Sequence, residues 1–535
     1  MTAAAQVLPK PASPLDGLAV SAAVFALSCA VLWIALNRGA GLYDEGIMLV
    51  GGWLVGQGQV PYRDFYYVYG PAPLYLIAGA FKLLGPSVAA ARTVDIVIKS
   101  VLVVLIRRLG MIAAGRAAGW PVTALVLVWM GGIAKYNYPV WLSATLGAGA
   151  VLLLLRDTRR AELGAGLLTG LSILARYDMA LATLAALGGV LLWKKAAAEG
   201  RFAPAAIAAA CVPFAGGFLL AALPIAAVAA SLGAVDDIGL QMGTLPLAFY
   251  QGYRRLEWPG GEINEDIVLY FPLAAVVLAV ATRATRAGGS EEGGRALWAV
   301  RFLCALAAAF VLKAIVRKSA IHVVPALMVA LPVAAAAAAR VRANWHAEGR
   351  AVKSFAALTA LLLAVPTVVT AVDAVSKSAL LPAVQQRVPA LLGEAPRETA
   401  IGSGLVPADL AAAIGVLVSR TAPDETVLIG TNRHDRVFVN DVTAYFLARR
   451  MPATKWYTYD AGVHASAPVQ QEMIADLERS RPRFALLSSA YDAVREPNLS
   501  AVSTGVVMLD DYLAAHYRPV AVFGAYAVVE RIAAR

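Results

Sequence analysis

The residues of this chain that could do chemistry gather between its apolar runs. "GLYDEGIMLVGGWLVGQGQVPYRDFYYVYGP", residues 41–71, holds the adjacent acids Asp44 and Glu45, an Arg63–Asp64 pair, and aromatics including Tyr66 and Tyr69. Further along come Lys135 and Asn137, then Arg176-Tyr177-Asp178, Arg254-Arg255, and Lys318 with His322. A carboxylate can take the proton of an attacking hydroxyl as general base. Arg and Lys can hold a phosphate leaving group and offset the charge it develops. Aromatic rings give flat apolar walls to a sugar or a prenyl tail. Carboxylates beside cations therefore suit a transferase with an anionic lipid donor. Neither a GxxxxGK(S/T) phosphate loop nor an HExxH metal motif is present.

Each feature has a plainer reading. Asp44 and Glu45 could be first-turn acids complementing a helix dipole. The tyrosines could form an interfacial belt. Arg176 and Asp178 could be a structural ion pair, and Arg254, Arg255, Arg317 and Lys318 could anchor span ends to lipid headgroups. His322 could be a satisfied span-end histidine. What favours chemistry is their common placement, which depends on the elements that carry them.

Those elements are membrane spans. The 535 residues are 59% hydrophobic and 15% charged, against about 25% charged in soluble domains, and mean hydropathy is +0.67. Apolar runs long enough to cross a bilayer are expected at about 17–36, 88–106, 111–131, 138–155, 161–175, 178–193, 204–231, 266–282, 296–316, 322–339 and 354–374, eleven in all. Cys29, Cys211 and Cys304 all fall within apolar runs, so no disulfide framework or cysteine metal site is available. The net charge of +11 lies in short clusters between spans, which points to membrane lipids and away from nucleic acid.

With residues 1–16 as a cytoplasmic tail and the first span retained, each expected inside loop carries three or four Arg or Lys residues. The polar set named above then lies on the outer face, as do the first outer loop, 37–87, and the carboxy-terminal segment. Ionisable groups at membrane depth default to function, and here they converge on one interface. The run after Glu45 reads as a short amphipathic helix along that interface.

From about 375 the composition changes. Residues 375–419 read as an Ala/Pro/Gly-rich linker and 420–535 as a small extracytoplasmic α/β domain. "ETVLIG" and "RFALLSS" have strand length, "VQQEMIADLERS" is an amphipathic helix, and "YRPVAVFG" and "AYAVVERI" are closing strands. In "GTNRHDR", Asn432, His434 and Asp435 could hold a metal or phosphate, or be a solvated loop after a strand.

"YDEG…GQVPYRDFYYVYGPAPLYLIAGAFKLLGPSVAAAR" resembles the first outer loop and second span of bacterial GT-C membrane glycosyltransferases, those related to protein O-mannosyltransferases and to the aminoarabinose transferase of lipid A. "GLLTGLSILARYDMAL", "RKSAIHVVPALMVALP" and the tail segments "NDVTAYFLARRMPATKWYTYDAG" and "VQQEMIADLERSRPRFALLSS" are similar to later parts of that family. The resemblance implies a polytopic α-helical membrane protein of GT-C type, with 17–374 as its transmembrane domain. It would sit in a bacterial cytoplasmic membrane. The implied reaction moves one sugar, with inversion, from a polyprenyl-phosphate donor to a glycan, lipid or protein acceptor outside the membrane. Asp44 matches the catalytic base and Glu45 its partner. Arg176 matches the residue contacting the lipid phosphate, and His322 the cavity edge. Arg63, Asp64, Tyr66, Tyr69, Lys135, Asn137, Tyr177, Asp178 and Lys318 are expected to line the cavity. "KYNYPVWLSA" lacks the second acid of many relatives, and a divalent metal is not supported by the sequence. "GPAPLY" lacks a lysine that some relatives place there, which leaves Arg254 or Arg255 to share the phosphate contact. The rival expectations are a transporter or lipid flippase, which calls for polar span centres where these spans read as apolar, and a non-catalytic scaffold. The sequence shows no internal repeat that would favour transport.

Overall fold

A computed structural model describes residues 14–36, 39–133, 136–199, 204–247, 251–256, 263–284, 291–315, 317, 319–377 and 405–532. Its helices are α1 (Pro14–Ile34), α2 (Asp44–Gly56), α3 (Ala72–Leu84), α4 (Val88–Ala114), α5 (Gly119–Gly132), α6 (Val140–Leu154), α7 (Arg159–Leu171), α8 (Tyr177–Glu199), α9 (Pro204–Ser231), α10 (Val235–Ile238), α11 (Gln251–Tyr253), α12 (Ile263–Ala281), α13 (Glu291–Ile315), α14 (Ala320–Ala343) and α15 (Arg350–Lys377). Every expected span coincides with a helix. Among the described residues six helices are long and apolar enough to cross a membrane, with shorter apolar helices beside them. The chain is a multi-pass helical membrane protein.

Most of these spans are apolar on all sides, because they meet lipid or one another rather than water. The clearest departure is α4. It buries Arg92, Asp95 and Lys99, so its middle is not apolar as the sequence reading supposed. The charges persist because each is paired within the bundle: Lys99 Nζ lies 2.7 Å from Asp95 Oδ2 one turn away, and Arg92 reaches Glu45.

Beyond the spans stands a mixed sheet of β1 (Thr426–Thr431), β2 (Met451–Pro452), β3 (Phe484–Ser488), β4 (Tyr517–Phe523) and β5 (Tyr526–Arg531). Its order is β2-β1-β3-β5-β4, with β1 parallel to β2 and β3, and β5 antiparallel to β3 and β4. The helices around it are α16 (Ala408–Arg420), α17 (Thr443–Ala448), α18 (Ala467–Ser480) and α19 (Met508–His516). The strands and the helix expected from "VQQEMIADLERS" are all present. α16 packs Leu410, Ile414 and Leu417 into the sheet's core, so residues from Ala408 onward belong to the domain and not to a linker.

The first loop is part of the same body. Ile47, Met48, Leu49, Val50 and Leu54 of α2, and Leu74 and Ile77 of α3, share one core with Ile429, Val442, Tyr445 and Tyr457. α2 therefore does not lie along the interface as an amphipathic helix. It is buried from Glu45 through Gly52, because apolar residues cover its whole circumference. Gly46 allows this contact: a Cβ there would stand 2.6 Å from the backbone nitrogen of Thr443.

Candidate active site

α2 begins at Asp44, so both acids occupy its first turn, where the exposed N–H groups favour negative charge. The two side chains part company there. Asp44 stays half-buried, whereas Glu45 is only 4% exposed and fully engaged. Its carboxylate accepts from Arg92 Nε at 2.6 Å and Arg92 Nη2 at 2.9 Å, and from the Gly41 N–H at 2.7 Å. Arg92 in turn donates to the Gly39 carbonyl at 2.7 Å and stacks 4.0 Å over the Tyr136 ring. Glu45 fixes the entry to α2, and Asp44 beside it is the more exposed of the two acids.

The YGP stop brings the loop onto the α7–α8 turn. Gly70 donates its N–H to the Ala175 carbonyl at 3.1 Å, and a Cβ on Gly70 would meet the Leu174 backbone at 2.3 Å. That approach sets Tyr69 beside Arg176, whose guanidinium lies 5.2 Å above the Tyr69 ring. Arg176 pairs with Asp178 at 2.8 Å and donates to Tyr138 Oη at 3.3 Å. The Tyr138 hydroxyl is 3.3 Å from that of Tyr69 and 3.4 Å from His322 Nε2, and His322 Nδ1 meets Ser319 Oγ at 2.5 Å. A polar seam thus joins the ends of α6, α8 and α14. Lys313, in the last turn of α13, is a further basic side chain within electrostatic reach of Arg176 and Asp178. Its Nζ is buried and makes no hydrogen bond. Tyr67 links the seam to α2, with its ring 5.8 Å from that of Tyr69 and its hydroxyl 3.6 Å from Met48 Sδ. Met48 lies one turn beyond Asp44 on the same helix face.

The remaining expected residues fall elsewhere. Arg63 and Asp64 form an exposed pair that closes the PYRDF turn, where Asp64 accepts from the Val60 N–H at 2.8 Å. Tyr66 points into the α/β domain, its ring tilted at 36° against Trp456 and its hydroxyl donating to Asp460 at 3.2 Å. Asn137 adopts a left-handed φ of 57° and is tied to α4, donating to the Ala91 carbonyl and to Asp95. Tyr177 is half-buried beside Asp178, and Arg255 is exposed. Lys135 and Lys318 lie outside the described residues. Arg254 is buried against Asp460, with Nη2 and Oδ1 2.7 Å apart. Burial alone would raise the Asp460 carboxyl, but the Arg254 charge and hydrogen bond hold it below the usual carboxylate range. In "GTNRHDR", Arg433 pairs with Asp435 and His434 with Asp510. Among the described residues no three His, Cys, Asp or Glu side chains converge as a metal site requires.

Sequence reasoning missed Arg92, Asp460 and Lys313. A charged residue in an otherwise apolar span was the available signal for Arg92 and Lys313. Nothing local marks Asp460.

A bundle of spans with a polar seam at one end, under an α/β domain that shares a core with the first loop, defines a polytopic membrane protein whose candidate site lies at the junction of the two. The same architecture is seen in ArnT from Cupriavidus metallidurans. In the apo state it is 14% identical with a TM-score of 0.52, over 97% of this chain and 99% of that one. Bound to undecaprenyl phosphate it is 15% identical with a TM-score of 0.50, over 98% and 99%. No protein-family model and no curated protein matches the sequence. The fold is that of the GT-C membrane glycosyltransferases.

Proposed function

We propose that this chain is a glycosyltransferase that moves one sugar from a polyprenyl-phosphate donor to a hydroxyl acceptor at the α/β-domain side of a bacterial cytoplasmic membrane, with the amino terminus inside. The carrying observation is an unfilled donor in the seam. Two basic side chains, Arg176 and Lys313, neighbour the single carboxylate of Asp178, and the buried Lys313 Nζ has no hydrogen-bond partner. A buried nitrogen with open hydrogen-bonding capacity beside a guanidinium is satisfied by an anion such as a phosphate. Of the two partners expected from sequence, Arg254 is already committed to Asp460 and Arg255 is exposed. Lys313 takes their place in this reading. The solved relative bound to undecaprenyl phosphate lends support through its shared fold.

In the reaction, the Asp44 carboxylate accepts the acceptor's hydroxyl proton as its oxygen bonds to the anomeric carbon. The bond from that carbon to the phosphate oxygen breaks on the opposite face, which inverts the centre. The electron pair leaves with polyprenyl phosphate, whose charge Arg176 and Lys313 receive. A flippase would need a polar path along the spans, whereas Arg92, Asp95 and Lys99 inside α4 are consumed in ion pairs.

The test is transfer from a synthetic polyprenyl-phosphate sugar by the purified chain. Asp44→Asn should lower turnover by on the order of 10²–10⁴ with an unchanged melting temperature. Lys313→Met should raise the donor KM by roughly 10–100-fold. A fully active Asp44→Asn enzyme sinks the assignment.

A further inference from the structure

At the end of the bundle remote from the seam, α5, α12, α14 and α15 do not close on one another. They leave a groove of about 560 Å³, within the range of small-ligand sites. Its walls are Leu125, Phe271, Leu331 and Leu363, and its floor is the small side chains of Ala334 and Ala335. The alanine run of α14 is the cause. A helix presenting methyl groups where its neighbours present leucines leaves the space those side chains would fill.

The mouth has a different chemistry. Arg342 and Trp345 line it, Trp345 is 50% exposed, and Lys353 Nζ sits 5.0 Å over the Trp345 ring. Arg340 and Arg350 flank the same turn between α14 and α15. An apolar trough ending in an indole and a cluster of cations matches one molecule in cross-section, a lipid with an acyl chain and a negatively charged head.

We propose that this groove is a binding site for an anionic glycerophospholipid, with one acyl chain between α5, α14 and α15 and its phosphate on Arg342. The site is separate from the seam. Twenty residues of α14 divide His322 from Arg342, about 30 Å of helix, so the lipid belongs to the opposite leaflet. Charge complementarity selects its class: four basic residues against one acid, Glu348, around one turn favour an anionic head over a zwitterionic one. By filling the recess the lipid would complete the packing of α15, the least buried of the long apolar helices.

The test uses the full chain purified in detergent, with phosphatidylglycerol and phosphatidylcholine as probes and native mass spectrometry as the readout. The wild type should retain one phosphatidylglycerol at least tenfold in preference to phosphatidylcholine. Arg342→Ala should lose that preference, and Ala335→Leu should lose retention of both. Equal retention of the two lipids by the wild type, or undiminished retention by Ala335→Leu, overturns the proposal. So does displacement of phosphatidylglycerol by polyprenyl phosphate at one-to-one stoichiometry, which would assign the groove to a donor tail. Should Ala335→Leu fail to fold, a second measurement stands on the wild type. Phosphatidylglycerol with brominated chains should quench a fluorescence component that is missing in Trp345→Phe, and equal quenching in both proteins overturns the site.

Discussion

Arg92 and Glu45, 47 residues apart, meet in a two-pronged contact of 2.6 and 2.9 Å with both side chains almost wholly buried. The pair joins the start of α2 to the first turns of α4, and so sets where Asp44 stands. Removing one member of such a pair strands the other charge away from water, at a cost of about 3–5 kcal/mol. Glu45→Ala should therefore lower the melting temperature and the transfer rate together. Thermal unfolding in detergent separates this from Asp44→Asn, which should affect the rate alone.

The Arg254–Asp460 contact ties the loop before α12 to the α/β domain. Arg254→Ala should destabilise that domain by about 3–5 kcal/mol while leaving the donor KM of the remaining folded enzyme unchanged. A raised donor KM with full stability would instead return Arg254 to the phosphate site.

Gly70 lies against the backbone of the α7–α8 turn. Gly70→Ala forces the two apart, at about 1–3 kcal/mol for an overpacked contact, and moves Tyr69 away from Arg176. Turnover should fall with the acceptor and donor concentrations saturating. Gly79→Ala, where open space surrounds the added methyl, should do nothing measurable to turnover.

His464 is buried, stacked on Tyr459, and accepts the Asp460 N–H at 2.9 Å. Burial pushes its pKa down to about 3. The folded state therefore holds a neutral imidazole where the unfolded chain, with an ordinary value near 6.5, takes up a proton. This contribution to stability is fully present above about pH 6.5 and is lost as pH falls toward 3, with a slope of at most about 1.4 kcal/mol per pH unit. His464→Gln should flatten that part of the stability–pH curve, read by denaturant unfolding between pH 7 and 4.

Much of the protein could be read along the chain. Residue by residue, hydropathy located α1, α4 to α9 and α12 to α15, since the length of an apolar run is a local property that a bilayer measures directly. Period-two and period-3.6 patterns likewise located β1, β3, β4, β5 and α18. The same reading singled out Asp44, Arg176, Tyr69 and His322, because a polar residue at a span end is conspicuous where it stands.

What the chain could not disclose was pairing. Which carboxylate a buried cation meets depends on how helices are rotated and which loops dock, and the partners are distant: 47 residues separate Glu45 from Arg92, and 206 separate Arg254 from Asp460. Sequence placed Glu45 beside a base and Arg254 beside a phosphate. The tertiary structure closed each into an ion pair, left the Lys313 Nζ buried near Arg176 without a hydrogen-bond partner, and folded α2 into the core of the α/β domain. Local composition determines where a segment can lie with respect to the membrane. Only packing decides which charges are neutralised and which remain for a ligand.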